Sequence, residues 1–342
     1  MTRSCCSKQS GCENRAAHEA LVVLAALAMS SCGAPPASDG PASDTAGRLD
    51  EASSADPADA GAIDTGPDRI ADPLAWAIAG DWRPDQEKSR DGDRNPAETL
   101  TFFEVEAGDV VVELWPGGGW YSAILAPYLN AGGGRLIAAG FDPDAYGGER
   151  RDRIENRIGE YENRFASRPD IFGAITLARF SGDSPALAAP GSADAVLTFR
   201  NLHNWMAAGY AEKAFRDAFD VLKPGGILGV VEHRLPSSET QDPMAMTGYV
   251  HEDYVKAAAK RAGFVFVESS EINANPKDTA DHPFGVWTLP PNSRSQDRTG
   301  TMPEGFDPGL YQSIGESDRM TLKFRKPTVG SGEETPPLEP SP

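Results

Sequence analysis

Cysteine is missing from the body of this 342-residue chain: Cys5, Cys6 and Cys12 stand in the first dozen residues, and Cys32 follows a short apolar run. Disulfide stapling of a folded domain is thereby excluded. Membrane-spanning length is missing too, because the apolar stretch from Ala20 to Met29 is about half of the ~20 residues that a transmembrane helix needs. Positive charge is in short supply, with 32 Lys and Arg against 51 Asp and Glu and a formal net charge of -19. Nucleic-acid backbones are poor partners for such a chain, which shows no clustered Lys and Arg, so a small-molecule substrate is expected. No internal repeat is present.

Both ends are poor material for a core. Residues 1–32 carry Arg3, Lys8 and Arg15, then the apolar stretch, then Ser30-Ser31-Cys32-Gly33. Small residues before a cysteine after a short apolar core resemble a bacterial lipoprotein signal, although Met29 stands where Leu is usual and Glu13 and Glu19 dilute the basic start. The resemblance implies acylation of Cys32 and a membrane-anchored chain on the periplasmic side; the alternative is an N-terminal helix of a soluble protein or a start codon placed too far upstream. Residues 33–68 contain no aromatic residue and only Leu49 and Ile63 as large aliphatics, the composition of a disordered linker. Its reach would be on the order of 30 Å. Residues 328–342 read as a disordered tail.

Between them, residues 69–327 alternate β-branched runs with helical patterns, which predicts an α/β domain with a mainly parallel sheet. Asn95-Pro96-Ala97-Glu98 reads as a capped helix start. Strands are predicted over 110–114, 135–139, 174–180, 193–199 and 227–231, then from 264 and over 320–325; helices over 121–129, 150–165, 211–221 and 252–262. Leu222-Lys223-Pro224-Gly225-Gly226 reads as a turn before the fifth strand. Residues 272–319 form a long insert before the last strand; His282, Trp287 and Tyr311 in it suggest a lid or substrate wall. The region before the first strand, with Trp76, Trp82 and Asp93-Arg94-Asn95, is expected to close the opposite side.

A first strand ending in Glu113, a glycine-rich turn, an acid near the end of the second strand, a Lys-Pro-Gly-Gly turn and an alternating last strand occur in an order that resembles class I S-adenosylmethionine-dependent methyltransferases. The resemblance implies a Rossmann-like sheet of seven mainly parallel strands, helices on both faces and an antiparallel last strand, with the cofactor across the carboxyl ends of the first strands. Trp115 stands at the family's first glycine position, where it needs room for an indole. Carried over by position, Glu113, Trp115, Gly117, Gly118, Gly119, Tyr121 and Asn201 belong to the cofactor loop and its surroundings; Asp142 would take the ribose hydroxyls, with Asp144 as a substitute, and Asp183 would lie near the adenine amino group.

Methyl transfer from a sulfonium is an in-line displacement, for which a protein supplies alignment, dryness and a base. Beyond residue 32 the histidines are His203, His233, His251 and His282. His203 is the first candidate base, and Glu232 with His233 the second; both groups follow strand ends. No short-range ligand spacing supports a metal site of His203, His233 and a carboxylate, so none is expected. Two other readings stay open: a methyltransferase-like domain that binds a ligand outside the cytoplasm without catalysis, and a nicotinamide oxidoreductase, because residues 117–122 nearly match a dinucleotide fingerprint with Ser122 in the third glycine position. If Cys32 is the lipid anchor, Cys32→Ser shifts the chain from the membrane to the soluble fraction; a variant that stays membrane-bound would overturn the anchor.

Overall fold

The computed structural model describes residues 68–328. The signal segment with Cys32, the linker up to its last residue and positions 329–342 of the tail lie outside the described residues. The described residues contain eight strands: β1 (Val110–Leu114), β2 (Arg135–Phe141), β3 (Thr176–Phe180), β4 (Ala193–Phe199), β5 (Leu222–His233), β6 (Val265–Ser270), β7 (Pro283–Val286) and β8 (Arg319–Arg325). Seven of them form one sheet in the order β3-β2-β1-β4-β5-β8-β6. Every pairing is parallel except those of β8, which runs antiparallel to both β5 and β6. This is the Rossmann-like methyltransferase-type sheet, and the inserted β8 separates it from the dinucleotide fold, whose sixth strand follows the fifth directly.

The helices are α1 (Pro73–Ala79), α2 (Asp85–Lys88), α3 (Asp91–Arg94), α4 (Pro96–Phe102), α5 (Ser122–Gly132), α6 (Gly148–Ala166), α7 (Pro169–Phe172), α8 (Leu202–Ala207), α9 (Ala211–Val221), α10 (Glu252–Arg261) and α11 (Pro308–Ile314). They cover both faces. Successive strand residues point to opposite sides, so Val111 belongs to one core with Leu100, Phe103, Ile124 and Leu125 while Val112 belongs to another with Phe215, Leu228 and Phe264. That double burial is why β1 reads as an unbroken apolar run.

Two local expectations change. The Lys-Pro-Gly-Gly segment lies inside β5, whose pairing with β4 jumps from Ala193↔Leu222 to Ala195↔Ile227. The extra residues bulge out where Gly225 adopts φ 84°. Asn95 does not cap α4 with its side chain; its φ of 41° turns the amide away, and Nδ2 donates to the Ile272 carbonyl at 2.7 Å. Pro96 does occupy the first turn of α4.

A buried polar chain ties β1 to two helices. Tyr161 of α6 donates to Ser122 Oγ at 2.9 Å, and Ser122 donates to Glu113 Oε2 at 2.5 Å. Burial pushes the Glu113 carboxyl up from 4.5 to about 7, against the opposing pull of the Ser122 hydrogen bond. With the folded value the higher one, this group's contribution to stability is complete below about 4.5 and is lost as pH rises towards about 7. The loss is roughly 1.4 kcal/mol per pH unit. Glu113→Gln keeps an acceptor for Ser122 and removes the titration, so the variant should gain stability relative to the parent as pH rises through that window. Urea denaturation at several pH values measures this; parallel pH profiles for the two proteins would refute it.

Candidate active site

The carboxyl ends of β1 to β4 meet under one crevice, and the first loop fills it. Trp115 adopts φ 50°, a left-handed conformation that glycine enters freely and other residues enter at a cost. Its indole is 8 % exposed and lies tilted over Phe141 at the end of β2, with ring centroids 4.2 Å apart. Phe180 at the end of β3, Trp205 in α8 and Tyr210 before α9 present edges at 6.5, 5.8 and 6.3 Å. Trp115 Nε1 donates to the Phe180 carbonyl at 3.0 Å. The walls therefore make a slot for a flat bicyclic aromatic ring with an N–H on its edge. Adenine answers that description as well as indole does. These rings and the Phe180 carbonyl could line the adenine of S-adenosylmethionine only if the indole left.

The other residues assigned to the cofactor divide into open and committed groups. Gly117 and Gly118 are exposed, with open space where a Cβ would stand. Gly119 serves packing instead: at φ 83°, a Cβ there would come within 2.6 Å of the Phe165 ring. Tyr121 stacks on Phe199 at 3.5 Å and donates to the Arg94 carbonyl, facing the N-terminal helices. Asn201 Nδ2 is spent on the Leu114 and Trp115 carbonyls at 2.9 and 3.2 Å, pinning the loop. Asp142 stands at the carboxyl end of β2, where one oxygen accepts from the Asp144 amide and the other from Ser181 Oγ, each at 3.1 Å. Asp144 pairs with Arg179 and Arg151 on the surface. Asp183 is exposed, and no partner for its side chain occurs among the described residues. Ser181 and Ser184 are the buried polar groups of that turn, which the sequence did not single out because neither is charged.

A second cluster lies at the ends of β4 and β5. These strands are parallel and adjacent, so His203 from α8 and Glu232-His233 from β5 reach the same edge. Glu232 is fully buried. It accepts from His203 Nδ1 at 3.0 Å and from the backbone N–H groups of His233, Leu202 and His203 at 2.9, 2.6 and 3.4 Å. A carboxylate has about four lone-pair sites, and four donors address this one. The contact to Glu232 puts the His203 proton on Nδ1 and the lone pair on Nε2, which receives the Asn204 amide at 3.0 Å. His233 Nδ1 contacts Ser317 Oγ at 2.6 Å. Burial holds His233 well below 6.5, and the neighbouring His203, Arg200, Arg319 and Arg94 add to the effect, so it is neutral.

Ligand atoms of His203, Glu232 and His233 all lie within 4.8 Å of one another. Their sequence spacing could not reveal this, since two strands bring them together. Two imidazoles and a carboxylate are a competent donor set for a divalent cation, but the four donors to Glu232 already use its lone pairs, and the arrangement can serve as a base with an orienting acid. Trp287 of the insert stands 6.0 Å from the His203 ring, and Tyr249 stands 6.2 Å from His233. His282 lies elsewhere, on Asp278 at 2.8 Å, and His251 precedes α10.

No family model matches the chain, and no curated protein matches it. Similar solved structures include an S-adenosylmethionine-dependent methyltransferase from Aquifex aeolicus, 16% identical over 56% of this chain and 93% of that one, with a TM-score of 0.40. Another such methyltransferase, from Mesorhizobium loti, is 15% identical over 67% of this chain and 96% of its own, with a TM-score of 0.40. The cyclase SpnF is 14% identical over 76% and 94%, with a TM-score of 0.47. These are likenesses of fold, and the chemistry of the site rests on the chain's own residues.

Proposed function

We propose that this chain is a methyltransferase acting on a small molecule, with S-adenosylmethionine as methyl donor and His203 as base. The observation that carries the reading is the coincidence, at one edge of a methyltransferase-type sheet, of an aromatic cluster around Trp115 and a histidine whose tautomer is fixed by a buried carboxylate. Bound there, S-adenosylmethionine would supply an electrophilic methyl group. Phe141, Phe180, Trp205 and Tyr210 would face its adenine, Asp142 its ribose, and the open backbone at Gly117 and Gly118 its remainder. His203 Nε2 is the atom able to take the acceptor's proton once Asn204 releases it, and Glu232 stabilises the imidazolium that results. Trp287 and Tyr249 keep water from the pair. Neutral His233 offers a hydrogen bond to the acceptor without competing for its proton.

One observation favours a second reading. The slot is filled by the chain's own Trp115, as it would be in a methyltransferase-like domain that binds a ligand without catalysis. Export as a lipoprotein anchored at Cys32, which remains a proposal, would suit that reading because it removes the chain from the cytoplasm.

Calorimetric titration with S-adenosylmethionine, using the parent chain and Trp115→Gly, decides between the two. Removing the indole abolishes its competition for the slot, so the variant should bind about tenfold tighter or better. Absence of binding to both proteins would sink methyl transfer and leave the binding module. With an acceptor in hand, His203→Gln should keep cofactor affinity and lower turnover about 10²- to 10⁴-fold.

A further inference from the structure

Beside His233, the same edge gathers more positive charge than the chain balances. Arg90 precedes α3, Arg94 ends it, Arg200 follows β4 and Arg319 opens β8, yet all four guanidinium groups converge on Glu316. Arg90 Nε reaches Glu316 Oε1 at 2.7 Å, Arg94 Nε reaches Oε2 at 3.1 Å, Arg319 Nη1 lies 3.2 Å from Oε2, and Arg200 Nη1 lies 3.7 Å from it. Glu316 is the one carboxylate within ion-pair distance of any of them among the described residues. Asp93 gives Arg319 its backbone carbonyl, while its side chain is exposed and acts from further away.

Besides Arg90 Nη2, which is buried 2.7 Å from Glu316 Oε1 without a hydrogen bond, two of these groups have donors to spare. Arg94 is 2 % exposed, and its Nη2 is buried without a hydrogen-bond partner. The Arg200 side chain is about a quarter exposed, makes no hydrogen bond among the described residues and has Glu316 as its only ion-pair partner there. Its backbone holds φ 62°, a conformation that a non-glycine residue adopts only where its surroundings enforce it. Burial, aided by the neighbouring guanidinium groups, lowers Arg94 to about 9 and Arg200 to about 10. Glu316, despite its burial, is driven down to about 2 by the four arginines and stays ionised. One carboxylate does not neutralise four guanidinium groups, and unpaired buried charge is expensive. Planar forks with free N–H groups are matched by oxyanions.

We propose that Arg90, Arg94, Arg200 and Arg319 form a binding site for the carboxylate or phosphoryl group of a small anionic ligand, seated between the free Arg94 Nη2 and the open Arg200 guanidinium. An anion held there presents the rest of its molecule to His233 and, 5.3 Å beyond it, to His203. The assignment stands whether or not the ligand is methylated. It also gives a chain of formal charge -19 a local concentration of positive charge able to accept an anion.

The test is calorimetric titration of the full chain with inorganic phosphate and, separately, succinate, at constant ionic strength set with chloride and without S-adenosylmethionine. Saturable binding is expected for at least one anion, and which one binds identifies the group recognised. Arg200→Gln and Arg90→Gln, both at partly exposed positions and checked for parent-like circular dichroism, should each weaken it about tenfold or more. Arg151→Gln, on the surface of α6, should leave it unchanged. No saturable binding of either anion, or equal affinity in the parent and both cluster variants, would show that the arginines serve the fold alone and overturn the site.

Discussion

A parallel sheet with helices on both faces can receive a ligand only where its strands end, because every other surface of the strands is packed. In this chain that constraint is severe: the cores on the two faces take alternate residues of β1, with Val111 on one side and Val112 on the other. The polar and charged groups that the sheet carries inward are left with one exit, the carboxyl edge. Trp115, Asp142, Arg200, His203, Glu232 and His233 all stand there, on loops or strand ends that are far apart in sequence.

Three buried glutamates at or near this edge show how one side-chain type takes three roles. Glu113 has a serine hydroxyl as its hydrogen-bonding partner, and its proton is held to about neutrality. Glu232 is saturated by four N–H donors, three of them from the backbone, and fixes the orientation of His203. Glu316 is outnumbered by arginines and is ionised far below the usual carboxylate range. The first ties strand to helices, the second sets a tautomer, and the third gathers charge beside a histidine kept neutral. Environment, not residue type, separates them.

Trp115 links these functions to the loop. A tryptophan in the first glycine position keeps the turn by adopting a glycine-like φ, and the bulk that follows is absorbed by Phe141, Phe180, Trp205 and Tyr210. The indole thereby becomes part of the core at the carboxyl ends of β1 to β4.

The succession of strands along the chain was legible because it depends on local signals, such as the doubly buried run of β1 and the alternation of Met320, Leu322 and Phe324 in β8. The acid and glycines of the first loop, and the three residues His203, Glu232 and His233, could be named for the same reason, since strand ends are visible as changes in hydrophobic period. What each side chain does there was not legible. Asn201 turned out to brace Leu114 and Trp115, and Gly119 to make way for Phe165, because both outcomes depend on neighbours that only folding brings close. Arg90 with Arg94, Arg200, and Glu316 with Arg319 come from three distant stretches that no spacing in the sequence joins. Their convergence was decided by the tertiary structure, which places the N-terminal helices over the ends of β4 and β8 and leaves one carboxylate among four guanidinium groups.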